Sequence, residues 1–263
     1  MVWIGREAVV KHVLVTGAAG AIGGALARAM RAAWPEARLA LLDRDDEAMK
    51  ALAGELGNAT THRADLRDIA ALPRVVEQIG AYAPLDGLVN CAGIMRVQQI
   101  SSWNWEDAHD LMLIDLIAPL RLQDLVLPHM IDIGRGVIVN VASMAGKVPL
   151  KGCAYYGASK AGLAMASEIA RADLAAYGIR VVTVYPGPVK SALEQGARDA
   201  YGGGGLFGRF APTGDPSELA RKIMMAIEKE EPRVIYPRLY NVGWSATPVA
   251  SWFALSYGPP PVS

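Results

Sequence analysis

The stretch Val13-Leu14-Val15-Thr16-Gly17-Ala18-Ala19-Gly20-Ala21-Ile22-Gly23 decides the fold. Val13 to Val15 read as a short buried strand. The glycine-rich turn follows at once. Gly24 to Trp34 then has the pattern of a helix, which Pro35 ends. Strand, glycine turn and helix start bring backbone N–H groups and the positive end of a helix dipole to one point, an anion site suited to a pyrophosphate. Gly17 permits the tight turn, and Gly20 and Gly23 let a ligand and the helix come close. A merely flexible Ala/Gly loop would not need the strand before it or the helix after it.

Working outward, a second strand, Arg38 to Leu42, ends at Asp43, whose carboxylate can accept hydrogen bonds from adenosine ribose hydroxyls. The competing reading is a surface acid opening the next helix at Asp45-Asp46-Glu47. A third strand, Ala59 to Ala64, stops at Asp65-Leu66, and a helix from Arg67 to Ala83 tolerates Pro73 early on. Gly87 to Asn90 is a fourth strand, closed by Cys91-Ala92-Gly93. A long helix, Glu106 to Asp132, repeats apolar residues at helical spacing (Leu111, Ile114, Leu122, Leu125, Val126), with kinks at Pro119 and Pro128. The run Val137 to Ala142 is a fifth strand. A helix from Ala154 to Tyr177 follows, capped by Gly178, and then a sixth strand, Arg180 to Tyr185, ended by Pro186-Gly187-Pro188. Residues 190–215 contain Gly202 to Gly205 and read as a mobile lid over the strand ends. A helix from Pro216 to Glu230 and a short strand, Val234 to Tyr236, complete the alternation. The expected fold is α/β: a Rossmann-like, doubly wound parallel sheet of about seven strands with helices on both faces. Without an internal repeat or linker, residues 1–263 read as a single dinucleotide-binding domain.

Composition narrows the function. The chain has 263 residues, of which 52% are hydrophobic, as a sheet buried on both faces requires. Lys plus Arg and Asp plus Glu are 26 each, so there is no basic field to bind nucleic acid. Two cysteines, Cys91 and Cys153, make neither a disulfide framework nor a zinc cage, which points to a reducing, cytoplasmic setting. Arg6, Glu7 and Lys11 interrupt any signal-peptide core. His12, His62, His109 and His129 have no metal-ligand spacing, and no metal is expected.

The chemistry lies in Tyr156-Gly157-Ala158-Ser159-Lys160. Four residues apart on a helix, Tyr156 and Lys160 share one face. An ammonium beside a phenol favours the phenolate and is expected to lower its pKa from about 10 towards neutrality. Such a phenol can take a proton from an alcohol or give one to a ketone. Tyr-x-x-x-Lys alone is common on helix surfaces. Ser143, at the carboxyl end of the fifth strand where open α/β sheets bind ligands, adds weight.

Taken together, Thr16-Gly17-Ala18-Ala19-Gly20-Ala21-Ile22-Gly23, Asp65, Asn90-Cys91-Ala92-Gly93, Ser143, Tyr156-x-x-x-Lys160 and Pro186-Gly187 resemble the short-chain dehydrogenase/reductase family over about residues 10 to 237. The resemblance implies an oxidoreductase that passes hydride between a nicotinamide cofactor, NAD with NADP as the alternative, and a secondary alcohol or ketone. It assigns Tyr156 as acid/base, Lys160 as the residue that tunes it and binds the nicotinamide ribose, and Ser143 as the holder of the substrate oxygen. Along the cofactor it implies Gly17, Ala19, Ala21, Ile22, Asp43, Arg44, Asp65, Leu66, Asn90, Ala92, Gly93, Pro186, Gly187 and Val189, with Ser191 where relatives offer a threonine. Two departures stand out. Cys91 replaces an asparagine beside the cofactor. Asp115 occupies the place of the asparagine that supports the proton relay; serving through its backbone carbonyl it would change little, whereas an ionised side chain would keep Lys160 charged, blunt its pull on Tyr156 and shift the activity optimum upward in pH. Asp115 is also what a catalytically silent dinucleotide-binding regulator would rest on, against an intact Ser143, Tyr156 and Lys160. Sugar-nucleotide epimerases share a related fold but carry a larger C-terminal domain. Relatives pair the two long helices across a two-fold axis, so a homodimer or homotetramer is expected.

Residues 239–263 contain no charged residue. Asn241, Gly243, Pro248 and the prolines after Gly258 break any membrane span. Three readings stay open. The tail packs on its own domain or a neighbouring subunit. It walls an apolar pocket near Tyr156 together with the lid residues Leu206, Phe207 and Phe210, favouring bulky apolar substrates. Or it attaches to a membrane surface, which its tryptophans suit and its lack of Lys or Arg weakens.

Overall fold

The computed structural model describes residues 10–202 and 212–261. Seven strands, all parallel, form one sheet in the order β3-β2-β1-β4-β5-β6-β7. They are β1 (His12–Thr16), β2 (Arg38–Asp43), β3 (Ala59–Arg63), β4 (Gly87–Asn90), β5 (Gly136–Val141), β6 (Ile179–Pro186) and β7 (Arg233–Tyr236). β1, β4 and β5 are buried along their whole length, which is why their sequences read as unbroken apolar runs. Helices α1 (Ala21–Ala33) and α2 (Asp46–Leu56) pack on one face, and α3 (Leu72–Gly80) on the other. Leu26, Met30, Met49 and Leu52 sit in the first core layer; Leu72, Val76 and Ile79 sit in the second. The order reverses between β1 and β4, and open α/β sheets bind ligands outside the strand ends at such a switch.

The long helix expected over 106–132 is interrupted. It comprises α4 (Trp105–Met112), a π-helical turn (Leu113–Ile117) and α5 (Ala118–Ile133). The cause is legible in the sequence: Pro119 has no N–H to donate to the carbonyl of Asp115, four residues back, so the ladder shifts register there. α3 begins later than expected because Asp68 accepts from the Ala71 N–H and holds the preceding residues in turns; Pro73 then sits in the first helical turn. α6 (Ala154–Leu174) ends through a short 3₁₀ turn at Gly178, whose φ of +70° favours glycine.

Two further observations concern the end of the chain. The segment expected as a mobile lid opens with a helix, α7 (Ala192–Ala200), capped by the Ser191 hydroxyl, which accepts from the Glu194 N–H at 3.1 Å, and tied by a Glu194–Arg198 pair one turn apart. The lid residues Leu206, Phe207 and Phe210 lie outside the described residues. After α8 (Pro216–Glu228) and β7, the uncharged tail forms two helices, α9 (Tyr240–Ser245) and α10 (Thr247–Tyr257). No helix among the described residues is long and apolar enough to cross a membrane.

Candidate active site

The turn after β1 is held from behind. The Thr16 hydroxyl accepts from the Cys91 and Ala92 N–H groups at 3.1 and 3.2 Å and donates to the Val89 carbonyl, locking the end of β1 to the end of β4. Gly17 has φ +66°, and a Cβ there would lie 2.7 Å from the Ala92 backbone. A Cβ on Gly23 would lie 2.1 Å from the Gly17 carbonyl oxygen, so helix and turn meet at backbone contact. The first turn of α1 has no acidic residue and no side-chain cap, which leaves its N–H groups and dipole for an external anion. At the end of β2 the Asp43 carboxylate accepts from the backbone N–H groups of Ala19, Arg44 and Asp45 at 3.1, 2.7 and 3.2 Å, so its direction is fixed. Asp65 is engaged by Arg67, whose guanidinium holds its carboxyl below the usual range.

A cleft of about 1160 Å³ runs from this turn across the strand ends. Gly17, Ala19, Ala21, Ile22, Asp43, Arg44, Asp65, Leu66, Ala92, Gly93, Pro186, Gly187, Val189 and Ser191 all line it, as do Ser143, Tyr156 and Lys160. The volume of the cleft, the open helix N-terminus and the backbone approach at Gly17 and Gly23 fit a dinucleotide. Asn90 does not line it. That side chain is 1% exposed and donates beneath the sheet to Asn140 Oδ1 at 2.8 Å and to the Pro119 carbonyl at 3.2 Å. An amide on a strand buried on both sides is claimed by the nearest acceptor inside the protein.

Ser143 stands just past β5, with its hydroxyl accepting from the Ala145 N–H at 3.1 Å. Tyr156 and Lys160 project from one face of α6, with the ammonium 5.9 Å from the phenol ring centroid. Lys160 Nζ donates to the Val141 carbonyl at 3.3 Å and lies 3.4 Å from Asp115 Oδ2. Asp115 Oδ1 accepts from the Ile94 N–H at 2.8 Å. Asp115 is completely buried behind Gly93 and does not line the cleft; its contact with the site is the ion pair with Lys160 and the bond from the Ile94 N–H, and its charge is felt at Tyr156.

The electrostatics correct one expectation. Burial raises the Tyr156 pKa above its ordinary value; Lys160 opposes this, but Asp115 adds to it, and in the unliganded chain the net shift is upward rather than towards neutrality. Burial lowers the Lys160 pKa, yet Asp115 and Tyr156 outweigh it and the ammonium is held charged. Burial raises the Asp115 carboxyl, with Lys160 and the Ile94 N–H opposing. The Cys91 thiol is pushed up to about 12 by burial.

Sequence reasoning passed over part of the wall. Met95, Val148 and Leu150 line the cleft beyond Tyr156, and α7 contributes Leu193 and Ala197. Tyr201, just past α7, donates to the Lys151 carbonyl at 2.6 Å and lies 3.3 Å from Cys153 Sγ, tethering α7 to the start of α6. The tail supplies Tyr240, Ala250, Phe253, Ala254 and Pro259. The first turn of residues 190–215 did carry a signal, the Ser191/Glu194 spacing at a helix start.

Residues 11–202 match the family model of the short chain dehydrogenases. The D-threitol dehydrogenase of Mycolicibacterium smegmatis is 34% identical over 218 residues, 80% of this chain and 83% of that one. A short-chain dehydrogenase from Streptomyces avermitilis superposes with a TM-score of 0.79 at 26% identity, covering 96% of this chain and 99% of its own. One from Sphingobium yanoikuyae, solved in complex with NADPH, gives 0.76 at 26% identity, with 94% and 96% covered. The chain belongs to the short-chain dehydrogenase family: it is a Rossmann-type, NAD(P)-binding oxidoreductase acting on small molecules.

Proposed function

We propose that the chain interconverts a secondary alcohol and a ketone, with NAD preferred over NADP and bulky apolar substrates preferred over small polar ones. The convergence of Ser143, Tyr156 and Lys160 on one end of the cleft carries the reaction. Ser143 holds the substrate oxygen. The Tyr156 phenol gives that oxygen a proton in reduction and takes one from it in oxidation. Lys160 holds the cofactor's ribose and stabilises the phenolate, and Asp115 fixes the position of Lys160. When bound, the nicotinamide supplies or receives the hydride. The substrate preference rests on the wall that α7, Tyr240 and α10 build beside Tyr156.

A single assay matrix tests both preferences. Each CH₂ buried is worth about 0.8 kcal/mol, so kcat/KM is expected to climb with chain length or ring count. Deleting residues after Leu239 flattens that climb. Equal efficiency on two-carbon and ten-carbon alcohols would dismiss the apolar reading. For the cofactor, two like charges ~4 Å apart at an effective dielectric near 20 repel by about 4 kcal/mol. Asp43 would place that repulsion on a 2′-phosphate, while Arg44 offsets part of it. NADH is therefore expected to bind about tenfold tighter than NADPH, and the reverse order in a fluorescence titration overturns the preference.

We also propose pairing through α6. Leu163 and Leu174 on it are buried inward, but Met165 and Ile169, one turn apart, are 64% and 54% exposed. Trp105 at the start of α4 is 68% exposed. A two-fold contact would cover such residues. Light scattering is expected to give a dimer or tetramer; a lone 28.0 kDa species would count against it.

A further inference from the structure

Helix α10 buries none of its eleven residues. A helix apolar on all sides is ordinarily covered. Here Val249, Trp252, Leu255 and Tyr257 are 50–66% exposed, and Leu239 and Val242 beside them are 65% and 66% exposed. Leu150 faces solvent across the mouth of the cleft.

This apolar surface rests on a fixed support. Trp244 of α9 packs edge-on against Tyr185 with centroids 4.6 Å apart. Lys147 and Arg233 lie over its ring at 4.8 and 5.9 Å. Tyr240 fills the space beside Gly187, where a Cβ would meet its ring at 2.8 Å, and Pro261 sits against Gly152.

Among the described residues the unpaired charges beside it have one sign; Glu194, near Tyr240, and Glu168 are already paired with Arg198 and Arg233. The tail itself has no Lys or Arg, but the fold brings Lys147 and Lys151 beside it, and Arg238 opens it. Among the described residues none of the three has an ion-pair partner; Arg233, bound to Glu168, does. Neither 144–153 nor 233–263 contains an Asp or Glu. A two-fold contact through this face would set like charges against one another. An anionic surface meets both requirements: it takes up the aromatic and aliphatic side chains and answers the cations.

We propose that α9, α10 and the Lys147–Lys151 loop form a docking surface for an anionic lipid bilayer, placing the mouth of the cleft at the membrane interface. Phe253, Ala250 and Ala254 of the same helix line the cleft, so an apolar molecule leaving the lipid meets the site directly. The docking itself is independent of which substrate the site takes.

The test is cosedimentation of the full chain with vesicles of phosphatidylcholine, with and without phosphatidylserine. Binding to the anionic vesicles is expected, weakening as salt rises. Each cation near such a surface is worth about fivefold in partition, so Lys147→Ser with Arg238→Ser is expected to weaken it about twenty-five-fold. Trp252→Ser with Leu255→Ser is expected to weaken it on the order of a hundredfold. None of these four residues lines the cleft, so turnover of a water-soluble alcohol should stay unchanged and show that the variants are folded. If the unaltered chain ignores both vesicles, the proposal fails, and an acidic protein becomes the better partner. It also fails if binding is indifferent to phosphatidylserine. If Trp252→Ser with Leu255→Ser instead splits an oligomer in light scattering, a second copy covers the face and the proposal is overturned.

Discussion

Replacing Tyr156 with Phe is expected to lower turnover by about 10²–10⁴-fold while leaving NADH binding nearly intact. The substitution removes one oxygen from a side chain 7% exposed and keeps the ring that packs with Leu111, Ala145 and Cys153. What is lost, on the proposed mechanism, is the proton carrier. The wild-type pH profile carries a second signature of it. Because the Tyr156 pKa lies above its ordinary value, the phenolate is scarce near neutral pH. Alcohol oxidation should therefore accelerate as pH rises into the alkaline range, and the variant should lose that rise. Stopped-flow turnover beside fluorescence titration of NADH measures both. A Phe variant that keeps most of its rate would remove Tyr156 from the chemistry.

The second large effect is on stability. Lys160→Met leaves the Asp115 carboxylate, 0% exposed, with only the Ile94 N–H for company. Breaking a buried pair from one side costs about 3–5 kcal/mol, and urea unfolding at pH 7 should show a loss of that size. Burial holds the Asp115 pKa above its unfolded value, and removing the opposing ammonium raises it further. A group shifted that way contributes stability that is complete below its unfolded pKa and is lost as pH rises through the folded one. The deficit should shrink in acid. Adding Asp115→Asn, which keeps an acceptor for Ile94 and carries no charge, should restore most of the stability and none of the turnover. If Lys160→Met unfolds within about 1 kcal/mol of the unaltered chain, the ion pair is not the constraint described.

Strand positions were legible because a strand buried on both faces has to be an apolar run: Val137 to Ala142 was expected, and Gly136–Val141 is found. Helix limits were less so. Side-chain periodicity does not register a shift of one residue in the hydrogen-bond ladder, so the π turn around Asp115 was read as part of one helix. Turns held by Asp68 were absorbed into α3 for the same reason. In residues 190–215 the glycine run drew attention from the capped helix that precedes it. In the cleft, most lining residues followed from the motifs, since motif spacing fixes which strand end a residue occupies. The direction of a side chain there depends on partners distant in sequence. Asn90 turned towards Asn140, fifty positions away, and no local pattern announces that. The upward shift of Tyr156 likewise comes from burial by segments remote from it, which outweighs the neighbour four residues on.

The two halves of the cleft are built from different material. The dinucleotide half is made by turns locked to strand ends, where Gly17 meets the Ala92 backbone with no room for a Cβ and the Thr16 hydroxyl ties down the Ala92 N–H. The far half is made by α7, α9 and α10, which lie outside the sheet and bury little of themselves. Changes at such half-exposed positions usually alter folding stability by no more than about 0.5 kcal/mol. Ala250, Ala254 and Leu193 can therefore drift to larger or smaller residues over generations, reshaping what the enzyme accepts, while the machinery that moves the proton stays untouched.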